Sequence, residues 1–251
     1  NDIISRPRDI SFDPDSSVVY LVLEDGTLSC LTTYRTEAVT AWCKLNTAGK
    51  FISAAVIGDN IYFCVERKNG WFIEKFVDDY YSDCSLRLTS ETPQRDWSGL
   101  EHLEGEEVVV LANGFSLGKF KVEEGEIHLL DEADEIIAGL PYEHLIEPLP
   151  YMVEAERPYS PKALRVIGAR FRILDSKSFC IDIGSGYFHY PLKRIHRDKI
   201  FDSPPLTYSG DVQMRALGWI REMNKPMWSI KSDEPLAFTL LSAVAEIKLK
   251  E

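Results

Sequence analysis

One pentapeptide in the middle of the chain has the spacing of a nucleophilic serine. Gly114-Phe115-Ser116-Leu117-Gly118 matches the pattern G-x-S-x-G, in which a strand turns sharply into a helix and exposes the serine hydroxyl. Here Asn113-Gly114 is a hairpin-turn dipeptide, and residues 119–122 alternate like a strand. We therefore interpret both glycines as turn residues and predict no catalytic residue here.

Two further groups of side chains have the chemistry of metal ligands. Asp13-Pro14-Asp15-Ser16-Ser17 is similar to the start of a calcium loop, but Val18 stands where that loop needs glycine. The geometry of a turn explains Asp and Pro at these positions better than calcium binding does. The histidines lack the paired spacing of a metal site, so we predict neither a metal nor a cofactor. They are His102, His128, His144, His189 and His196.

Carboxylates cluster twice beside predicted turns. A glycoside hydrolase needs two carboxyl groups held about 5 to 10 Å apart in a cleft, whereas clusters that flank turns are usually solvated. Gly184-Ser185-Gly186 is too short for a phosphate-binding loop and is interpreted as a hairpin turn. The residues therefore predict no enzyme. The clusters are Glu104, Glu106 and Glu107, and Asp131, Glu132, Asp134 and Glu135.

The charge of the chain is uneven along its length. The 251 residues carry a net charge of -12 and are 45% hydrophobic, which excludes a disordered chain. No apolar stretch approaches the roughly 20 residues that span a bilayer. The net charge is -4 over residues 1–90, -14 over residues 91–156 and +6 over residues 157–251. An acidic surface disfavours nucleic-acid binding, and the asymmetry suggests opposite faces that could meet when copies assemble.

The five cysteines are odd in number and widely spaced, and none forms a C-x-x-C pair. We predict that all are reduced, with the first three in apolar runs as small hydrophobic residues. Asn1 rather than methionine opens the sequence, so we expect a piece of a longer protein. The cysteines are Cys30, Cys43, Cys64, Cys84 and Cys180.

The first part of the chain alternates short β-branched and aromatic runs with turn dipeptides, which predicts antiparallel hairpins. The predicted strands are residues 18–23, 27–34, 38–44, 51–57, 61–66 and 71–76. A spacing of 42 residues relates several positions, and a four-stranded unit of about 40 to 45 residues is the size of one propeller blade. The alternatives are a blade-like repeat and ordinary hairpins with coincident spacing. The related pairs are Ser11 and Ser53, Tyr20 and Tyr62, and Glu24 and Glu66.

The rest of the chain also predicts an all-β fold. Residues 97–156 form an acidic meander, expected to be a small partial barrel, with strands at residues 108–111, 115–122 and 127–130. Prolines then lead into a β-sandwich or open barrel over residues 157–251. We therefore predict three modules, residues 1–96, 97–156 and 157–251. Strands of the last module are predicted at residues 163–174, 179–183, 187–190, 212–215, 227–231 and 238–249.

One strand of the last module carries a break in its alternation. Leu164 and Val166 share one parity, Phe171 and Ile173 share the other, and Gly168 lies between them. A glycine at such a slip is typical of a β-bulge. A helix over the same residues is the alternative, because the stretch lacks proline and the break weakens the strand pattern.

Nine short segments, each a turn or strand, run in order across nearly the whole chain. They are residues 6–14, 20–33 (YLVLEDGTLSCLTT), 41–43, 99–105, 139–142, 146–150, 208–212, 218–219 and 235–241. In this order they resemble the tail nozzle or tail-hub proteins of short-tailed bacteriophages and related prophages. Residues 194–205 and 221–225 depart from that pattern, so the attachment loops of the family are not assigned to this chain.

The resemblance implies a virion structural protein rather than an enzyme. It implies a ring of identical subunits below the portal and adaptor, built from propeller-like and small β modules, which contacts tail fibres or spikes. DNA would pass through the ring as a passenger during ejection. The protein would be made in the cytoplasm of the bacterial host and reside in the virion tail, and this region would be the C-terminal part of a longer chain.

A carbohydrate-binding β module that attaches a tail to the cell surface is the alternative function. Exposed aromatic side chains on such modules stack on sugar rings. Trp97, Trp219 and Trp228 are the candidates for stacking, although packing in the core is the favoured interpretation of each.

Overall fold

The protein is all-β, as predicted. The computed structural model describes residues 6–34, 36, 38–151, 163–184, 186–191, 206–215 and 225–250. In these ranges the chain has eighteen strands, a 3-10 turn at Glu101–Leu103, and no α-helix. The strands form five small antiparallel sheets, and none of the described sheets closes into a barrel.

The chain forms two compact units. The first comprises Asn1–Val108, Lys119–Glu132 and Ile137–Leu140, and the second comprises Val109–Gly118, Ala133–Ile136 and Pro141–Glu251. The division into modules 1–96, 97–156 and 157–251 stays a prediction. Within the described ranges no helix is long and apolar enough to cross a membrane.

The first sheet is a meander of four strands in chain order. The turn between its second and third strands depends on Gly26, which has φ +86° and no room for a side chain, because a Cβ there would lie 2.6 Å from Lys50 Cβ. Asp25 supports the same turn by accepting hydrogen bonds from the Thr27 amide and hydroxyl. The strands are β1 (Pro7–Asp13), β2 (Val18–Leu23), β3 (Leu28–Tyr34) and β4 (Val39–Leu45).

The second sheet has three strands and shares a core with the first. Phe63 packs edge-on against Tyr20 and Phe51, with ring centroids 5.8 and 5.2 Å apart. The Phe51 amide donates a hydrogen bond to the Gly26 carbonyl, which links the two sheets directly. The strands are β5 (Lys50–Ile57), β6 (Asn60–Arg67) and β7 (Gly70–Lys75).

The two sheets do not repeat in the predicted register. Tyr20 is buried in the shared core, whereas Tyr62, its predicted counterpart, is half-buried and Phe63 occupies the inward position. Since side chains alternate between the faces of a strand, an offset of one residue reverses the face. The spacing of 42 thus aligns the hairpins but not their buried residues.

The third sheet is open rather than the small barrel expected over residues 97–156. The Asn113-Gly114 turn has φ values of +49° and +82°, as a two-residue hairpin requires, and confirms that prediction. The predicted strand at residues 127–130 extends to fifteen residues, and a sixteen-residue strand before it was missed. In the order β10-β9-β11-β8, the strands are β8 (Asp83–Ser98), β9 (Glu107–Ala112), β10 (Phe115–Lys121) and β11 (Glu126–Leu140).

The second unit contains the remaining two sheets. The fourth has the order β16-β13-β18, and its central strand confirms the predicted bulge: the pairing shifts between Val166 and Gly168, which excludes the helical alternative. The fifth has the order β12-β17-β14-β15. The strands are β12 (His144–Ile146), β13 (Ala163–Ser176), β14 (Ser178–Asp182), β15 (Phe188–Pro191), β16 (Tyr208–Arg215), β17 (Ser229–Ser232) and β18 (Thr239–Lys250).

These two sheets pack around one hydrophobic core. Phe171 on β13 meets Trp228 edge-on, with ring centroids 5.2 Å apart, and Phe179 on β14 contacts Phe238 at 5.0 Å. Phe171 and Phe179 are almost completely buried. Aromatic rings from both sheets therefore fill the space between them.

Candidate functional site

The serine pattern lies on a strand. Ser116 is exposed on β10, Gly114 lies in the preceding turn, and Gly118 lies within the strand with φ +86°. No helix follows Ser116 in the described chain, so its hydroxyl is not held at the strand-to-helix turn that activates such a serine.

The aspartate-rich loop between β1 and β2 is held by its own carboxylate. Asp13 accepts hydrogen bonds from the Ser16 hydroxyl and from the Asp15 amide at 3.0 Å. The bond from Ser16 is the main reason why the pKa of Asp13 lies below its usual value. The described residues contain no group of three or more potential metal ligands. The hydrogen bonds that Asp13 accepts are those of a residue that shapes a turn.

The first acidic cluster is occupied by structural contacts. The Glu104 carboxylate accepts hydrogen bonds from the Gly125 and Glu124 amides, at 2.6 and 3.2 Å. Glu106 pairs with Lys68 at 2.8 Å, and Glu107 pairs with Lys119 at 3.0 Å. These three carboxylates support a turn and two ion pairs.

The second cluster lies along β11 and is more exposed. Asp131, Glu132 and Asp134 are all exposed, and Asp134 accepts a hydrogen bond from Asn113 Nδ2 at 2.9 Å. Glu132 approaches Arg95 at 3.9 Å, a separation at which an exposed ion pair contributes little. Carboxylates are therefore presented to solvent by this strand as well as by Glu104 and Glu107.

The tryptophans named as sugar-stacking candidates are placed differently from one another. Trp97 is 2% exposed and Trp228 is 8% exposed, so both serve core packing, as the sequence favoured. Trp219 lies outside the described residues. Trp71 on β7, which the sequence did not single out, is 64% exposed.

A buried, densely hydrogen-bonded polar cluster in the first unit surrounds Arg67, the last residue of β6. Its guanidinium makes paired hydrogen bonds to both oxygens of Glu74 on β7 and to both oxygens of Asp83 at the start of β8. Asp83 also accepts bonds from the Ala48 amide at 2.8 Å and the Thr47 hydroxyl at 2.9 Å. We call these three charged residues the Arg67 cluster.

The Arg67 cluster is buried, and its hydrogen bonds offset the cost of burial. The side chains of Arg67, Asp83 and Glu74 are only 5%, 13% and 22% exposed. Burial alone would raise the pKa of Asp83, but the bonds from Arg67 and Ala48 outweigh it and hold the pKa below its usual value. Burial is also the main reason why the pKa of the neighbouring Cys84 rises to about 12. The arrangement keeps the charges of Arg67 and Asp83 paired within the fold.

Sequence reasoning missed the Arg67 cluster because its members are far apart along the chain. Arg67 precedes the Lys68-Asn69-Gly70 turn and follows an alternating strand, which is the pattern of an ordinary surface residue. Only the pairing of β6 with β7 and the position of β8 bring the two carboxylates to it.

The outer face of the second sheet is open and carries an apolar groove, with Glu66 and Lys75 on the same face. Ile73 is 73% exposed and Ile57 is 65% exposed, and both line a shallow groove with Tyr62. Trp71 projects from the same face of β7, because it and Ile73 are two residues apart. The opposite face of this sheet carries Phe63 and Val65 and packs on the first sheet.

The outer face of the first sheet is apolar as well. The register aligns Phe12, Val19, Leu31 and Trp42 in one row across all four strands. Phe12 is 52% exposed, and Ile10 two residues before it is 64% exposed. Leu21 and Leu23 belong to the same face but are buried, so only the part around Ile10 and Phe12 presents apolar side chains to solvent.

Comparison with known proteins assigns no family. No protein-family model matches the chain, and no curated protein matches it either. The resemblance to nozzle proteins therefore depends on the ordered segments in the sequence.

Removing the Arg67 guanidinium should destabilise the first unit strongly. Arg67→Met leaves Glu74 and Asp83 buried without their cation, so we expect the free energy of unfolding to fall by about 3 to 5 kcal/mol. Lys68→Met is the matched control, because Lys68 is 77% exposed and its loss should change the free energy by less than about 0.5 kcal/mol. Urea unfolding followed by circular dichroism measures the free energy of unfolding of both variants. Equal losses in the two variants would contradict the role of the Arg67 guanidinium in stabilising the first unit.

His144 should make the second unit sensitive to mild acid. Its ring stacks on Phe238 with ring centroids 5.5 Å apart, and burial lowers its pKa below the usual value of a histidine, about 6.5. The unfolded chain therefore takes up the proton first, and stability is lost as the pH falls below about 6.5. His144→Phe should reduce the drop in melting temperature between pH 7.5 and pH 5.5.

The exposed His189 provides the control for this measurement. His189→Gln removes an imidazole that carries no comparable burial cost, so the drop should remain as large as in the unchanged protein. If the melting temperature of His144→Phe fell as much between pH 7.5 and pH 5.5 as that of the unchanged protein, His144 would not be the cause of the acid sensitivity.

Proposed function

We propose that this chain is a non-enzymatic structural component of a bacteriophage tail, a subunit of the nozzle or hub ring through which DNA is ejected. The ordered segments of the sequence support the family, and the all-β architecture is compatible with it. The observation that carries the assembly is the set of exposed apolar side chains on the outer sides of the stacked first and second sheets, above all Ile10, Phe12, Ile57 and Ile73.

A second copy of the chain is the proposed occupant of these faces. Inside one molecule, the first and second sheets already bury apolar faces against each other through Tyr20, Phe51 and Phe63. Packing the outer face of the second sheet on the outer face of the first sheet of the next copy would continue this stack, with sheets about 10 Å apart. The two faces differ, so the contact is heterologous and generates a ring when the rotation closes.

A blade-like arrangement is part of this proposal. The second sheet leaves its outer face open, and the first sheet leaves open the part of its outer face around Ile10 and Phe12, whereas blades of a propeller bury faces against neighbours on both sides. In the proposed assembly the missing neighbour comes from the adjacent subunit or from other tail proteins. The portal-side adaptor and the tail fibre or spike are the further partners that the resemblance suggests.

The acidic middle of the chain fits a passage for DNA. A surface that lets DNA slide must not hold its phosphates, and carboxylates repel them. Asp131 and Glu132 are the exposed carboxylates that best suit such a lining. Glu104, Glu106 and Glu107 suit it less, because they support a turn and ion pairs.

A charge placed on the outer face of the second sheet should abolish assembly without unfolding the subunit. Ile73→Lys changes a side chain that is 73% exposed, so the melting temperature of the subunit should stay constant while the ring, measured by mass photometry, falls to single subunits. Leu130→Lys is the matched control, because Leu130 is 83% exposed but lies on β11.

Two outcomes contradict this proposal. A discrete ring that persists in Ile73→Lys would show that this face is not the contact. A chain that stays monomeric at every concentration accessible to light scattering would remove the homo-oligomeric ring itself.

The alternative is a carbohydrate-binding module for attachment to the host cell surface, and Trp71 is the observation that favours it. This exposed ring shares the open face of the second sheet with Tyr62, and aromatic rings of this kind stack on sugars. Glycan-array hits that disappear in Trp71→Ala would favour the attachment function. An array without hits would remove it.

A further inference from the structure

Two of the five cysteines lie directly opposite each other on neighbouring strands. Cys30 on β3 pairs with Cys43 on β4, and the pairs on either side, Ser29 with Lys44 and Leu31 with Trp42, keep the same register. Opposed residues of an antiparallel pair have Cα atoms about 4.5 to 5.5 Å apart, which lies within the range of about 4.4 to 6.8 Å found in disulfides. Both residues are free thiols.

We propose that Cys30 and Cys43 form a modification site for low-molecular-weight disulfides such as oxidised glutathione, and that the reaction closes a cross-strand disulfide. This inference is independent of the proposed assembly function. It requires only the register of β3 and β4 and access of the small disulfide to one of the thiols.

The two thiols have different environments, which assigns their order of reaction. Cys43 is exposed on the edge strand β4, whereas Cys30 is 4% exposed in the core of the first unit. A hydrogen bond from the Cys30 thiol is the main reason why the pKa of Cys43 falls to about 7, and the pKa of Cys30 is raised. The accessible residue is thus also the better source of thiolate.

The reaction proceeds by two thiol–disulfide exchanges. The Cys43 thiolate attacks one sulfur of the small disulfide, breaks its sulfur–sulfur bond and releases the first thiolate, which takes up a proton. Cys30 then loses its proton to solvent and attacks the Cys43 sulfur of the mixed disulfide, which releases the second thiolate. In total the small disulfide is reduced to two thiols while the two cysteines are oxidised to one disulfide.

The other cysteines have no thiol facing them. Cys64 lies between Ser53 and Ile73 in the second sheet, and Cys180 lies between His189 and Lys231 in the fifth. The pKa of Cys84 is raised to about 12, so its thiolate is scarce near neutral pH. Cys180 therefore serves as a control that is free but has no resolving partner.

A disulfide at this position would fasten the edge strand of the first sheet. β4 pairs only with β3 in that sheet, and the link would join the two strands across the intervening chain. The disulfide would close the loop between residues 30 and 43 and so restrict the unfolded state. We therefore expect the melting temperature of the first unit to rise by roughly 5 °C on oxidation. Reduction with dithiothreitol should reverse the change.

The test is incubation of the full chain with oxidised glutathione, followed by intact-mass measurement and tryptic mapping. Cleavage after Arg8, Arg35 and Lys44 separates the cysteines, so the disulfide would join the peptides of residues 9–35 and 36–44. The intact mass should fall by two hydrogen atoms. This readout needs no substitution and is unaffected by folding defects of variants.

Two substitutions separate the steps, and a third is the control. Cys30→Ser should stop at the mixed disulfide and keep one glutathionyl group on Cys43, whereas Cys43→Ser should give neither product. Cys180→Ser should form the linked peptides as the unchanged chain does. A mixed disulfide on Cys43 that persists in the unchanged chain would overturn the cross-strand disulfide, and no reaction at Cys43 would overturn the modification site.

Discussion

The structure of the first unit depends on the position of one buried guanidinium. Arg67 ends β6, and its hydrogen bonds hold Glu74 on β7 and Asp83 at the first residue of β8. The cost of removing these charges from water is met only while all the hydrogen bonds are made, so the three elements must keep their relative positions. A buried ion pair is weak evidence for net stability, but it restricts the geometry of the elements it joins.

That restriction extends to the end of β11, which lies in the same unit as Asp83. A Cβ at Gly139 on β11 would lie 2.8 Å from the Asp83 carbonyl oxygen and 2.4 Å from Ser85 Oγ. The backbones of β8 and β11 therefore approach each other closely beside the Arg67 cluster. Glycine is required here for space rather than for its backbone angles, and the fixed start of β8 sets where β11 can pass.

Local pattern predicted most strands, because alternation and turn dipeptides act within a few residues. Val18–Leu23 has the predicted bounds, and the break in alternation around Gly168 is a β-bulge in the structure, as predicted. The strand Asp83–Ser98 was missed because polar residues and Pro93 interrupt its alternation, as an edge strand tolerates. Strand-to-strand register is a longer-range property, which is why neither the Arg67 cluster nor the opposition of Cys30 and Cys43 was predicted.

The same distinction changes the meaning of the acidic middle segment. Its net charge of -14 is a property of the sequence, but the local field depends on which carboxylates have cationic or amide partners. Glu106 and Glu107 each face a lysine, and Glu104 faces two backbone amides, so their charge is partly neutralised at short range. Glu132 on β11 and Glu107 are equally exposed, at 59% and 60%, and each has a basic partner. The exposed Asp131 on β11 therefore adds to the local field a carboxylate that is less compensated at short range than Glu104, Glu106 or Glu107.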